Sequence, residues 1–133
     1  MKKTVAKALI MNPKGQYLFL QRGLSHPNFP GHLDLPGGEV ETGELIHDSI
    51  IREIEEEIGI NLKDKTVKDL FRIEKPEVVH VLVEIKANIN NEKISLSWEH
   101  SNYEWIFPDD IIKRGIDDSM DSYYLDVFSY LIK

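Results

Sequence analysis

Cysteine is absent from this chain, which excludes a disulfide framework, a thiolate metal site and a cysteine nucleophile. No apolar run approaches the roughly 20 residues needed to cross a bilayer, so no membrane span is expected. Basic residues are in the minority: 16 Lys and Arg against 23 Asp and Glu leave a formal net charge of -7. That balance argues against a broad footprint for a nucleic acid polymer. It leaves single nucleotides open, because their phosphates can be reached through metal ions. Repeats, low-complexity tracts and linkers are missing too. What remains is 41% hydrophobic and 29% charged, an ordinary soluble globular composition. The 133 residues fit one domain, 1–133, with length enough for a core. The opening MKKTVAKALIM carries two lysines and an apolar run interrupted by Lys7, and lacks a convincing cleavage site. It reads as a first strand, with the cytoplasm as the default compartment.

The chain is organised around the stretch GEVETGELIHDSIIREIEEEIGI, from Gly38 to Ile60. It leaves the loop Pro36-Gly37-Gly38 and enters a helix whose start is expected at Thr42 or Gly43, Thr42 being the better cap. Gly59 is expected to end that helix in the C′ role, a structural one. At roughly 100° per residue, Glu53, Glu56 and Glu57 share one arc about a quarter-turn wide, and Glu55 points away. Ile50, Ile54 and Ile58 form the adjacent apolar stripe. One edge of the helix therefore carries three carboxylates beside a face that must be buried. Like charges at i, i+4 are mildly destabilising, and a divalent cation turns that repulsion into ligation, since hard ions take carboxylate oxygens. An anonymous acidic run is more often a solvated face, with Arg52 pairing to Glu56.

Elsewhere, Thr4 to Met11 and Gln16 to Gln21 read as a hairpin around the Asn12-Pro13-Lys14-Gly15 turn. Arg22 follows, then a punctuated loop from Gly23 to Gly31 of the kind that carries binding groups. On its own Arg22 reads as a surface arginine. His32 to Leu35 is a short strand. Thr66 to Lys75 and Glu77 to Ala87 are two further strands, with Val79, Val81, Val83 and Ile85 on the buried face and His80 opposite. His80 and Arg72 are read as packed or surface residues. Tyr103 to Phe107 is a strand preceded by a loop bearing Glu99. Pro108 to Arg114 is a short helix, and from Ser119 or Met120 to Ile132 an amphipathic helix buries Tyr124, Val127, Phe128 and Leu131. Strands, an internal helix, strands and a terminal helix make an α/β chain with a mixed sheet between helices.

Gly38, five residues, Glu44, seven residues, then Arg52-Glu53-Ile54-any-Glu56-Glu57-any-Gly59-Ile60 resembles the signature of the Nudix hydrolases position for position. The chain is identified on it as a MutT-like member, and the resemblance implies the Nudix α/β/α sandwich. It also implies a pyrophosphohydrolase that cleaves the diphosphate linkage of a nucleoside diphosphate derivative with Mg²⁺, or Mn²⁺ as substitute. The metal ligands it implies are Glu53, Glu56 and Glu57, a backbone carbonyl at Gly37, and Glu99, which can act as ligand or base, with Glu104 as its understudy. Arg52 would orient a glutamate, and Gly38, Glu44 and Gly59 would be structural or supporting. Arg22 and Asp34, in the Leu-Asp-Leu-Pro-Gly-Gly entry, are the candidate substrate contacts. The compact size is similar to that of nucleoside triphosphate pyrophosphohydrolases. Some of these read the base with an asparagine before the last helix; here the segment is Asp117-Asp118-Ser119-Met120-Asp121, which puts oxidised-guanine specificity in question. ADP-ribose, dinucleoside polyphosphates and nucleotide sugars stay open as substrates. The expected partner is a small nucleotide, with room for a homodimer. An isoprenoid diphosphate isomerase of this fold needs a cysteine, which the chain lacks. A non-catalytic nucleotide-binding module typically loses one of the glutamates, all of which are present.

Overall fold

The computed structural model describes residues 2–27, 29–114 and 122–132. The expectation about Asp117 to Asp121 lies outside the described residues. Seven strands form one mixed sheet: β1 (Lys3–Met11), β2 (Tyr17–Arg22), β3 (Leu33–Asp34), β4 (Gly37–Glu39), β5 (Val67–Glu74), β6 (Val78–Lys86) and β7 (His100–Ile106). Helix α1 (Ile46–Ile58) falls between β4 and β5, while α2 (Pro108–Arg114) and α3 (Ser122–Leu131) follow β7. The main path runs β3-β2-β1-β6-β5, with β4 added to β1 and β7 to β2. β1 and β6 pair in parallel and the other pairs are antiparallel, so the sheet is mixed as expected.

Period-2 alternation sorts the strand side chains onto two faces. On one, Ala6, Ala8 and Ile10 of β1 and Val79, Val81, Val83 and Ile85 of β6 pack against Ile50, Ile54 and Ile58 of α1. On the other, Leu9 and Leu82 join Ile111 of α2 and Tyr123, Tyr124 and Val127 of α3. The result is a helix–sheet–helix sandwich. His80 lies on the α3 side as expected, its Nδ1 2.8 Å from Asp126 Oδ2 and its ring beside Tyr123. The stripe on α3 differs slightly from expectation: Tyr123 and Tyr124 are both buried, while Phe128 is only half-buried. Among the described residues no helix is long and apolar enough to cross a membrane.

Three boundaries differ from those read in the sequence. α1 begins at Ile46 rather than at Thr42 or Gly43, because the chain turns first: Gly43 takes φ +82° and the Glu44 N–H donates to Glu41 O at 3.0 Å. Gly37 and Gly38 are not only loop; they pair with Lys7 and Ala6 across β1–β4. Nothing but glycine fits at Gly37, where φ is +131° and a Cβ would meet Ala6 O at 2.2 Å. β7 starts at His100 instead of Tyr103, extended by pairing with Arg22 past a bulge at Ser101 of β7. Gly59 does close α1 in the left-handed conformation, φ +74°.

Candidate functional site

The α1 carboxylates face the β4 backbone. Glu57 is buried, and its Oε1 accepts the Gly37 N–H at 2.7 Å. Burial pushes its carboxyl up to about 8, overriding the opposing pull of Lys7 and of the Gly37 N–H. Glu53 lies directly over Gly38: a Cβ there would stand 2.8 Å from the Glu53 carboxyl carbon. Burial raises the Glu53 carboxyl as well, against Arg52, with the Glu56 charge adding to the rise. Glu56 is exposed and takes the Arg52 Nη1 at 3.2 Å.

Arg52 is the clasp of this edge. Its Nε donates to Glu44 Oε2 at 2.8 Å and its Nη2 to Glu44 Oε1 at 3.1 Å, a two-pronged pair. That bond holds the Glu44 carboxyl down at about 2 and raises the Arg52 guanidinium. Glu44 also accepts the Glu41 N–H, fixing the turn before α1. The structure thus brings Arg52, Glu44, Glu53 and Glu56 together.

Beneath the β4 backbone lies a buried charge cluster centred on Asp34. Its Oδ1 accepts from Lys7 Nζ at 3.2 Å, from the Leu35 N–H at 2.9 Å and from the Tyr124 hydroxyl. Its Oδ2 lies 2.9 Å from His100 Nε2 and 3.4 Å from Arg22 Nε. Burial pushes the Asp34 carboxyl up, but Lys7, the His100 bond, Arg22 and Tyr124 together bring it well below the usual carboxylate range. Lys7 also donates to Leu35 O and Gly37 O, each at 3.2 Å. Burial alone would lower the Lys7 ammonium; Asp34 and then Glu57 reverse this and raise it. Arg22 and Asp34, the candidate substrate contacts, are both buried and engaged with one another. Lys7, His100 and Tyr124 were not read from the sequence as site residues. One signal was available for Lys7, a charge in the middle of an apolar strand.

Glu99 is half-exposed on the loop before β7, its Oε2 3.7 Å from His26 Nε2. The loop is tied to the end of α1 by the Ser97 N–H donating to Glu57 O at 3.0 Å. Burial, then Arg22, lowers the His26 imidazole, with Asp34 and Glu99 pulling the other way. Glu104 is turned elsewhere, onto Arg114.

These donors fit a hard divalent ion. They are carboxylate and carbonyl oxygens, and a cation beside the buried Glu57 would favour its ionised form against the effect of burial. In this structure the helix carboxylates are spread between Arg52 and the Gly37 N–H. Among the described residues, the one group of three metal-capable side chains whose ligand atoms lie within 4.8 Å is His26, Asp34 and His100. A cation there would meet Lys7 and Arg22 already seated on Asp34, so that group fits a metal poorly.

A family model of the NUDIX domain matches residues 1–127. The nucleoside triphosphatase NudI of Escherichia coli is 29% identical over 121 residues, covering 83% of this chain and 85% of its own. A MutT protein from Methanosarcina mazei superposes with a TM-score of 0.73 at 26% identity, covering 98% of this chain and 93% of its own. An Ap4A hydrolase of C. elegans, solved as a binary complex, gives a TM-score of 0.64 at 30% identity, covering 96% and 92%.

Proposed function

The chain belongs to the NUDIX family, hydrolases of nucleoside diphosphate derivatives that act on phosphoanhydride bonds and need a divalent metal, and from that premise we propose that its substrate is a nucleoside triphosphate, ribo or deoxy. Water adds at phosphorus, the bridging P–O bond breaks, and a nucleoside monophosphate and pyrophosphate leave. The observation that carries the reading is the edge of α1, where Glu53, Glu56 and the buried Glu57 stand beside Gly37 and Gly38. The similarity to a nucleoside triphosphatase across 83% of the chain supports the triphosphate.

Glu53, Glu56, Glu57, the Gly37 carbonyl and Glu99 would hold Mg²⁺, with Mn²⁺ as a substitute. The ion supplies neutralisation of the diphosphate oxygens and an activated water. The protein's part is positioning. The Gly37 N–H fixes Glu57. Arg52, anchored on Glu44, steers Glu56 and Glu53. Lys7 draws Asp34, Leu35 O and Gly37 O together, so the β4 backbone is held at the height of the carboxylates. Arg22 and Asp34 belong to that frame. Glu99, on a loop pinned to α1, is the carboxylate that would act as ligand or base. The setting is cytoplasmic and the partner a small nucleotide, not a polymer.

A dinucleoside polyphosphate is the second reading, favoured by 30% identity to an Ap4A hydrolase over 96% of the chain. A turnover panel with Mg²⁺ at mildly alkaline pH, with products identified, separates the two. It includes ordinary and oxidised dNTPs, ADP-ribose, a dinucleoside polyphosphate and a nucleotide sugar. Pyrophosphate release from a triphosphate is the expected result. Cleavage confined to a dinucleotide or ADP-ribose would keep the chemistry and replace the substrate. No turnover with Mg²⁺ bound would overturn catalysis itself.

A further inference from the structure

β5 is an outer strand of the sheet: among the described residues it pairs with β6 alone. Its Lys68, Asp69, Arg72 and Glu74 are exposed, and Val67, Leu70, Phe71 and Ile73 are half-buried. Charges and a bulge on an edge ordinarily discourage another chain from adding to it. Here the charges are of both signs, and their places are related by symmetry. The Lys75 N–H donates to Val78 O at 2.9 Å, and hydrogen-bonded and non-bonded pairs alternate from there. Glu74 opposite Val79 and Arg72 opposite Val81 are then non-bonded pairs, whose β5 N–H and C=O point away from β6. Leu70 is the extra residue at the register shift between Asp69 and Phe71. Beyond it the same alternation turns Asp69, opposite Val83, and Val67, opposite Ile85, outward as well. All four outward residues lie on the α1 face, because Val79, Val81, Val83 and Ile85 do. His47 of α1 accordingly stands 2.8 Å from Asp69 Oδ1.

We propose that a second copy of this chain adds to the sheet at β5, antiparallel about a two-fold axis passing between Leu70 and Phe71. Residues opposite each other in an antiparallel pair share a face. The axis that sets Asp69 against the partner's Arg72 also sets Val67 against the partner's Glu74, outward residue against outward residue on the α1 face. Sliding the pair by one residue sets Val67 against the partner's Ile73, or Lys68 against the partner's Glu74, residues of opposite faces. In the matching register each Asp69 carboxylate meets a guanidinium, and the two-fold repeats the pair at both ends of the join. On the other face, Leu70 and Phe71 meet their own copies, covering apolar surface that one copy leaves half-buried. This proposal does not depend on the hydrolase reading.

Sedimentation velocity of the parent over a concentration series should give a particle of twice 15.4 kDa. Asp69→Arg alone and Arg72→Asp alone each set like charges against one another at both ends of the join. Each should weaken dimerisation at least roughly a hundredfold. The His47–Asp69 contact that Asp69→Arg also removes is exposed, so the fold loses little. Mixed in equal amounts, the two variants set unlike charges together again, and the mixture should sediment as a dimer. A second arm needs no variant: in the parent, the amides of Val67, Asp69, Arg72 and Glu74 should exchange with deuterium at least roughly tenfold faster after dilution to the monomer. A parent that stays monomeric up to its solubility limit would overturn the proposal. So would a dimer in either variant alone, β5 amides that exchange alike at both concentrations, or a mixture that stays monomeric while both variants keep the parent's circular dichroism.

Discussion

Replacing Glu57 by Gln separates the charge of this side chain from its shape. Burial is the main influence on the parent carboxyl and lifts it to about 8, while Lys7 and the Gly37 N–H pull the other way. The ordinary value, to which unfolding returns it, is 4.5. Between these values the folded chain holds more protons than the unfolded one. Stability contributed by this group is therefore complete below 4.5, falls as pH rises, and levels off above about 8. At about 1.4 kcal/mol per pH unit, the loss from pH 5 to pH 8 is on the order of 3 kcal/mol. Glu57→Gln keeps an oxygen for the Gly37 N–H and never ionises, so it escapes this loss. The assay is urea unfolding of both proteins in chelator, at several pH values across that range, with free energies from linear extrapolation. The variant should gain on the parent by that amount between the two ends. A difference that stays constant with pH would refute the buried-carboxylate argument, and with it the idea that this position suits a cation.

The two glycines of β4 should fail differently. Gly37→Ala drives a Cβ into the Ala6 carbonyl at 2.2 Å with φ at +131°, and should cost about 3 kcal/mol in urea unfolding. Gly38→Ala meets only the movable Glu53 carboxyl, so it should unfold within about 1 kcal/mol of the parent yet lose at least roughly tenfold in Mg²⁺-dependent kcat/KM, the loss expected when a ligand is mispositioned. Tyr124→Phe removes the hydroxyl that accepts the Leu35 N–H at 2.8 Å and donates to Asp34; thermal or urea unfolding should show a loss of about 1–3 kcal/mol. Lys7→Met leaves Asp34 and Glu57 without the ammonium between them, and breaking such a buried pair should cost about 3–5 kcal/mol by the same assay.

What could be read in the sequence was local. The α1 carboxylates and the isoleucine stripe follow from positions three and four apart, and Glu44 with Arg52 from one fixed spacing. The β6 alternation likewise needs only neighbouring residues. The Asp34 cluster escaped because its members are joined by folding alone: Lys7, His100 and Tyr124 stand 27, 66 and 90 positions from Asp34. Period-2 reading placed Lys7 on a strand but could not say that its amine would find two carbonyls of the β3–β4 backbone. Arg22 was read as a candidate substrate contact for the same reason, since a loop after a strand gives no sign of a buried carboxylate twelve positions on. The start of α1 was misplaced because Thr42 is the better cap chemically, whereas the turn held by Glu41 and Glu44 delays the first helical residue.

The central claim is that the α1 edge holds the metal, and Mn²⁺ titration followed by electron paramagnetic resonance tests it most directly, comparing the parent with Glu53→Gln and Glu56→Gln at one pH. The account predicts saturable binding by the parent and at least roughly tenfold weaker binding by each variant, the loss expected when a first ligand is neutralised. Equal Mn²⁺ affinity in all three proteins would contradict it.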